Sequence, residues 1–488
     1  MKENKKSVHP QWALEHRKPG TELRFINSKY YLYEYKTIYD SQKKRPKKIS
    51  GAILGSITRS DGFIPSSKRN LEKTLKQKVF SDIKCKEYGI SFLVAERFKQ
   101  YAQSLEKAFP GEWKELLAIA YCRFVYRCPL KNIPFRLGSS YLPDLIQMDT
   151  FKEKTASGIL NRVGSMPEAM NQYMKSFIRK GDYTLIDATD VFSQSQLISM
   201  ARKGYSSHLN YDSHFNLLYV YSATNQMPVY YRLLPGNIRE VKAFKNTLLE
   251  IGLKKAVIVA DKGFYSAANV ELMRNEGLNF IFPLKRDNEL IDYREIEHNT
   301  FKTGNSFFIF NKRPVWFKKI KQNQKETLYL FLDEKLRVKE EQDYLLRIHT
   351  HPETHSVEKY HLKKNRFGTM SMLSNIKQTE EDVYQTYKSR GAIELLFDGM
   401  KNILEADHTY MQNEQTLKGW MFINHITLQW YQHLYIELKE KKLLKTISVN
   451  DYIQHLTDVK KIKINGQWYL NEFTAHTQNL MKKIGVKL

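Results

Sequence analysis

The stretch Tyr183-Thr-Leu-Ile-Asp-Ala-Thr-Asp-Val-Phe192 sets a carboxylate, Asp187, in the middle of an apolar run. Its composition is that of a strand. A lone carboxylate on a buried strand is costly unless a partner or cation compensates it, so Asp187 asks for a chemical reason. Asp190, three residues on and nearer the strand end, is an alternative for the same role.

Residues 183–192 also mark a change of pattern. From about 71 to 180 the apolar residues recur at helical spacing, as in 91-SFLVAERFKQYAQSLEKAF-109 and 112-EWKELLAIAYCRFVYR-127. After Tyr183, two more strands (214-HFNLLYVYSA-223, 228-PVYYRLLPGN-237) precede an amphipathic helix (239-REVKAFKNTLLEIGL-253). A buried strand (255-KAVIVAD-261), a helix (266-SAANVELMRNEG-277) and a strand (279-NFIFPLK-285) complete the series. Three strands, helix, strand, helix, strand is the element order of a ribonuclease H-like α/β core. Asp187 falls on its first strand and Asp261 at the end of its fourth.

A third acidic position comes from 387-YKSRGAIELLFDGMK-401. Read as one α-helix at ~100° per residue, it puts Tyr387, Arg390, Glu394 and Lys401 in a single stripe. Between the core halves, residues 286–377 carry the β-rich runs 306-SFFIF-310, 313-RPVWFKKIK-321 and 326-ETLYLFL-332 and are expected to form an insertion domain. The organisation expected is thus a basic β-rich region (1–70), a helical region (71–180), a core in two parts (181–285 and 378–435) around that insertion, and a C-terminal region (436–488) with a hairpin turning at Asn465-Gly466.

Asp187, Asp261 and Glu394 on adjacent elements repel one another unless a cation neutralises them. Oxygen-only ligation suits Mg²⁺, with Mn²⁺ as a substitute, and two such ions activate an attacking oxygen and stabilise the leaving one in a phosphodiester displacement. Tyr387, Arg390 and Lys401 would grip neighbouring phosphates, Arg390 bidentately.

The sequence resembles bacterial insertion-sequence transposases of the DDE type, in the group marked by Y-(2)-R-(3)-E-(6)-K. Tyr387, Arg390, Glu394 and Lys401 match every position, behind Asp187 in "LIDAT" and Asp261 in "VADKGFYS". Lys262 stands where the family commonly has Arg, which keeps charge but not a planar fork; it joins the phosphate-binding set. The resemblance implies cut-and-paste transposition. Strands would be cleaved at terminal inverted repeats and the 3′-hydroxyls joined to target DNA, with a homodimer at synapsis. A non-catalytic DNA-binding inhibitor derived from a transposase, and a metal-dependent nuclease on the same core, are the alternatives.

Charge agrees with a polyanionic partner: 78 Lys/Arg against 52 Asp/Glu give +26. Residues 1–70 hold 16 Lys/Arg and six Asp/Glu, with a strand–loop–strand pattern around the basic turn 41-SQKKRPKK-48. Cys85, Cys122 and Cys128 make no disulfide framework or paired zinc motif. The N-terminus has no apolar signal region, and 419-GWMFINHITLQWYQHLYIEL-438 is broken by polar residues, so a cytoplasmic protein with no membrane span is expected. His349, His351, His355 and His361 are read as a surface loop of the insertion, and Trp316 as the side chain there best suited to stack on a base.

Overall fold

The structure, a computed structural model, describes residues 9–40, 44–66, 83–149, 151, 155–179, 182–203, 213–237, 240–252, 257–260, 262–405 and 408–486. Asp261, residues 41–43 of the basic turn and residues 71–82 of the expected helical region lie outside the described residues. The chain divides into two compact units, one reaching to Cys85 and adding Lys461–Asn471, the other Lys86–Lys460 with Glu472–Leu488.

The smaller unit is built on an antiparallel sheet of β1 (Thr21–Ile26), β2 (Lys29–Asp40), β3 (Arg45–Thr58) and β4 (Gly62–Pro65), in that order. Asn27 and Ser28, both at positive φ, make the two-residue β1–β2 turn. Ala13, Leu23, Leu32 and Ile57 form its small core. Of the basic turn's described residues, Arg45–Lys48 are strand instead: Arg45 pairs with Asp40, and Pro46–Lys48 continue the ladder. Pairing satisfies backbone groups that a loop would leave to water. After β5 (Lys84–Glu87) and the second unit's helices and strands, the hairpin of β16 (Lys460–Ile464) and β17 (Gln467–Leu470) turns at Asn465-Gly466, at φ 51° and 85°, as the Asn-Gly pair predicts.

The larger unit is mixed α/β, with one large sheet. In it β6 (Tyr183–Ser193) is flanked antiparallel by β7 (His214–Ser222) and then β8 (Met227–Pro235). On the other side β9 (Val257–Ala260) runs parallel to β6, and β10 (Asn279–Leu284) parallel to β9. Helices Glu240–Ile251 and Ala267–Asn275 make the two crossovers, which parallel pairing requires. The series of elements read from the sequence is therefore the series observed.

Residues 286–377 continue the same sheet. β11 (Ser306–Phe310), β12 (Arg313–Lys321), β13 (Thr327–Asp333) and β14 (Thr369–Ser374) form an antiparallel series that docks through β14 on β10. A forked ion pair fastens it, Arg274 to Glu326 at 2.6 and 2.8 Å, and within the segment Arg286 Nη2 lies 2.9 Å from each oxygen of Glu340. The histidine-rich segment, read as a loop, lies largely on helices Glu334–Thr350 and Val357–Lys363, with His355 edge-on to Tyr344. Trp316 packs on Phe307 across β11 and β12.

The apolar stretch 419–438 lies in the buried helix Glu414–Glu440, and no helix among the described residues is long and apolar enough to cross a membrane. Its Trp430 stacks on Phe98 at 4.9 Å, and Gln429 accepts from Tyr173 and donates to the Pro228 carbonyl of β8. This helix crosses Thr155–Gly164 at glycines on both sides. A Cβ at Gly419 would collide with the Leu160 carbonyl, and one at Gly164 with that of Gln415. Backbone cannot yield as a side-chain tip does, so Gly419→Ala is expected to lower unfolding free energy by about 1–3 kcal/mol in urea titrations.

His425 of the same helix is fully buried between Tyr219 and Tyr231, ring centroids 5.8 and 5.2 Å away, and burial pushes its imidazole down to about 3. In the unfolded chain it takes a proton near pH 6.5. Below that pH the unfolded state binds more protons, and stability falls by up to about 1.4 kcal/mol per pH unit until the folded-state value is reached. His425→Phe should show a shallower loss of unfolding free energy between pH 7 and pH 5 than the parent; equal slopes would rule this group out.

Candidate active site

Asp187 sits where the two flanks of β6 differ. Toward β7 the ladder is continuous, and Asp187 pairs with Tyr219. On the other side, among the described residues, β9 pairs with Tyr183–Ile186, as far as Ile186↔Ala260, and the two-residue strand β15 (His408–Thr409) pairs with Phe192 and Ser193. Both aspartates lie between these two sets of pairs, and residues 406–407, just before β15, are outside the described residues. Asp261, the residue after Ala260, is outside the described residues.

The segment carrying Glu394 is not the single straight helix expected. Helix Glu380–Lys388 is capped by Thr379, whose hydroxyl accepts from Asp382 N. Arg390, Ala392 and Ile393 then donate to carbonyls three residues back, which tightens the turn before helix Gly391–Asp398. Gly399–Ile403 widens into a π-turn closed by Leu404 N on Gly399 O. Gly399 is pressed on Tyr431, whose ring a Cβ would meet at 3.3 Å. Neither change of pitch is visible in residue spacing.

These changes decide where the charged side chains go. Arg390 joins two carboxylates, with Nη1 3.2 Å from Asp187 Oδ2 and Nη2 2.9 Å from Glu394 Oε1. Asp187 Oδ1 also accepts from Ala188 N at 2.9 Å. Arg390 and Asp187 side chains are 15% and 18% exposed while that of Glu394 is 63% exposed, so the cluster opens to solvent on the glutamate side. Lys401, on the π-turn, takes Asp190 instead, Nζ 3.1 Å from Oδ1, and Asp190 is 3% exposed. Tyr387 is partly buried against the core, and Lys262 is exposed in the turn after β9. The structure therefore brings together Asp187, Arg390 and Glu394, and separately Asp190 and Lys401.

Two neighbours escape a reading by motif. Arg123 is buried, reaches Asn424 Oδ1 at 3.0 Å and the carbonyls of Leu404 and Glu405, and so holds the end of the π-turn. Burial lowers its guanidinium to about 10. An arginine within an apolar helical stretch was the available signal. Lys388 is half-buried beside the Tyr384 ring at 5.3 Å; burial, then the charge of Arg313, lowers its ammonium.

The two carboxylates of the cluster, Asp187 and Glu394, are oxygen donors of the kind that suits a hard divalent cation, and the Arg390 guanidinium lies between them. Among the described residues, no three His, Cys, Asp or Glu side chains gather as a metal site, Asp261 being outside them.

Residues 179–430, just over half of the chain, match the family described as Transposase DDE domain. The chain belongs to that family. It is a transposase of the DDE class, whose members generally use divalent metal ions. A solved piggyBac transposase synaptic complex with hairpin DNA is 12% identical, with 74% of this chain and 70% of that chain covered at a TM-score of 0.36, a likeness that supports no inference here. No curated protein matches the chain.

The Lys401–Asp190 pair is open to a direct test. Lys401→Met takes the cation from a buried carboxylate and is expected to cost about 3 kcal/mol or more in unfolding free energy. Asp190→Asn in the same chain should restore most of that loss, because a neutral amide no longer needs a charge partner.

Proposed function

We propose that this transposase moves an insertion sequence by cut-and-paste, with Asp187, Asp261 and Glu394 as its catalytic carboxylates on a ribonuclease H-like core. The observation that carries the reading is the Asp187–Arg390–Glu394 cluster. A strand carboxylate and a helix carboxylate meet at one guanidinium, on a side open to solvent.

Those three carboxylates would hold Mg²⁺, or Mn²⁺ in its place. When bound, such ions activate the attacking water or 3′-hydroxyl and stabilise the leaving oxygen of an in-line displacement. The chain's own groups position the DNA. Arg390 offers donors in a planar fork that suits phosphate oxygens, and it sits beside the catalytic carboxylates. Lys262, exposed next to Asp261 in sequence, adds a point charge for a neighbouring phosphate. Tyr387 stands one turn before Arg390 and contributes a hydroxyl to the same phosphate path. Lys401 belongs to the set by its place in the Y-(2)-R-(3)-E-(6)-K spacing, and its contact with Asp190 orients the turn on which it lies. Net charge of +26 draws duplex DNA to the surface. Two element ends held together imply a homodimer at synapsis, acting on terminal inverted repeats and then on target DNA.

The test is Mg²⁺-dependent cleavage and joining of a DNA fragment bearing the element's own ends. The parent should cut and join. Glu394→Gln should still bind but lose more than the roughly 10–100-fold that changes around metal ligands cost. Equal cutting by both would remove Glu394 from the site. Cutting without joining would indicate a nuclease, and binding without cutting in Mg²⁺ and Mn²⁺ would indicate the non-catalytic alternative.

A further inference from the structure

Within the smaller unit, β2 and β3 run past their neighbours. β1 pairs with β2 only as far as Glu34, and β4 with β3 only from Gly55 to Thr58. Register shifts around Tyr33 mark the boundary, and such bulges bend a ribbon and increase its twist. Beyond it stand six cross-strand pairs, from Tyr35↔Ser50 to Asp40↔Arg45, with no third strand among the described residues. Lys36–Tyr39 and Arg45–Ile53 are all exposed. A two-stranded ribbon is marginal by itself in water, yet this one carries Ile38 at 49% and Ile49 at 44% exposure. Such a surface calls for a partner.

The two faces of the ribbon differ. Opposed residues share a face, so Tyr35, Thr37 and Tyr39 lie with Ser50, Lys48 and Pro46. On that face Lys48 is already engaged, 2.8 Å from Glu22 and over the Tyr35 ring at 3.8 Å, and its contact holds the Glu22 carboxyl down to about 2. The other face presents Lys36 opposite Ile49 and Ile38 opposite Lys47. Two exposed lysines and two exposed isoleucines alternate there.

We infer that this ribbon enters the major groove of duplex DNA with its Lys36–Ile38–Lys47–Ile49 face toward the bases. The inference rests on the DNA-acting function proposed above and adds the element, groove and face. Dimensions agree: six pairs extend ~20 Å, about six base pairs of rise, and a groove roughly 12 Å wide admits a two-stranded ribbon. Chemistry agrees as well. The isoleucines match thymine methyl groups, the lysines match guanine acceptors, and Lys44 and Arg45 at the tip meet the phosphate wall. An acidic protein partner would satisfy the lysines but gives the isoleucines no periodic apolar contacts.

The test uses the full chain and a mixed-sequence duplex of ~30 base pairs, followed by fluorescence anisotropy at several salt concentrations, with a second duplex in which uracil replaces thymine. Lys36→Gln/Lys47→Gln should weaken binding about tenfold or more at every salt concentration, as loss of base contacts does. Thymine-to-uracil replacement should weaken the parent a few-fold and leave Ile38→Ala/Ile49→Ala unaffected. All four positions are exposed, so unchanged thermal melting confirms that the variants fold. Parent-like binding by both double variants overturns the ribbon while the proposed function stands. Failure of the parent to bind any duplex overturns both. A fall in particle mass by light scattering in the isoleucine variant, with DNA binding unchanged, overturns it in favour of contact between copies of the chain.

Discussion

Two carboxylates on an interior strand of the large sheet must be compensated, and much of the site's architecture follows from how that is done. β6 carries Asp187 and Asp190 between its described pairs with β9, which reach Ile186, and those with β15, which start at Phe192. Ionised side chains there lose most of their hydration, and that cost is recovered only by close cations in good geometry. Arg390 and Lys401 supply them. Both come from the chain segment between Lys388 and Leu404, which holds Glu394 between them.

A strand and a helix do not present matching rows of side chains. Residues three apart on a strand point to opposite faces of the sheet, whereas Arg390 and Lys401 would lie about 20° apart on a regular helix, in one stripe. One unbroken helix would present both cations in a single stripe, whereas the two carboxylates leave the strand in different directions. The tightened turn at Arg390 and the π-turn at Gly399–Ile403 change the pitch at both ends of helix Gly391–Asp398, and so the directions in which the two cations leave it. Insertions of this kind in helices tend to mark functional sites. Arg123, bonded to the carbonyls of Leu404 and Glu405, fixes the far end of the distortion from a helix in the core.

This mismatch also explains what could be read from the sequence. The strand and helix order from Tyr183 to Leu284 was legible because each element is short, strongly patterned and bounded by turn residues. The Asn465-Gly466 hairpin was legible because two successive positive φ values are a local demand that Asn-Gly meets. β14 was not, since 369-TMSMLS-374 is short, alternates over only four residues and lacks β-branched or aromatic residues beyond Thr369, and is a strand by virtue of two long-range neighbours, β10 and β13. Hence residues 286–377 read as a separate β-rich piece although they extend the core sheet. At the site, Asp187, Arg390 and Glu394 were found by motif and are found together. Lys401 and Asp190 were each singled out, but a helical wheel assumes one constant pitch and so hid their pairing.

The family spacing of Arg390, Glu394 and Lys401 acquires a physical meaning from these contacts. Arg390 and Glu394 are one turn apart, the separation at which side chains on a helix meet, so the arginine reaches the strand carboxylate while holding the helix one. The six residues from Glu394 to Lys401 carry the chain through the π-turn, which is what turns the lysine to the buried Asp190. Shortening that interval by one residue would turn the lysine about 100° further round the helix and away from Asp190. Lengthening it would press a side chain into the place where Gly399 meets Tyr431. The spacing is therefore constrained by the strand it serves, quite apart from any phosphate that the same side chains contact.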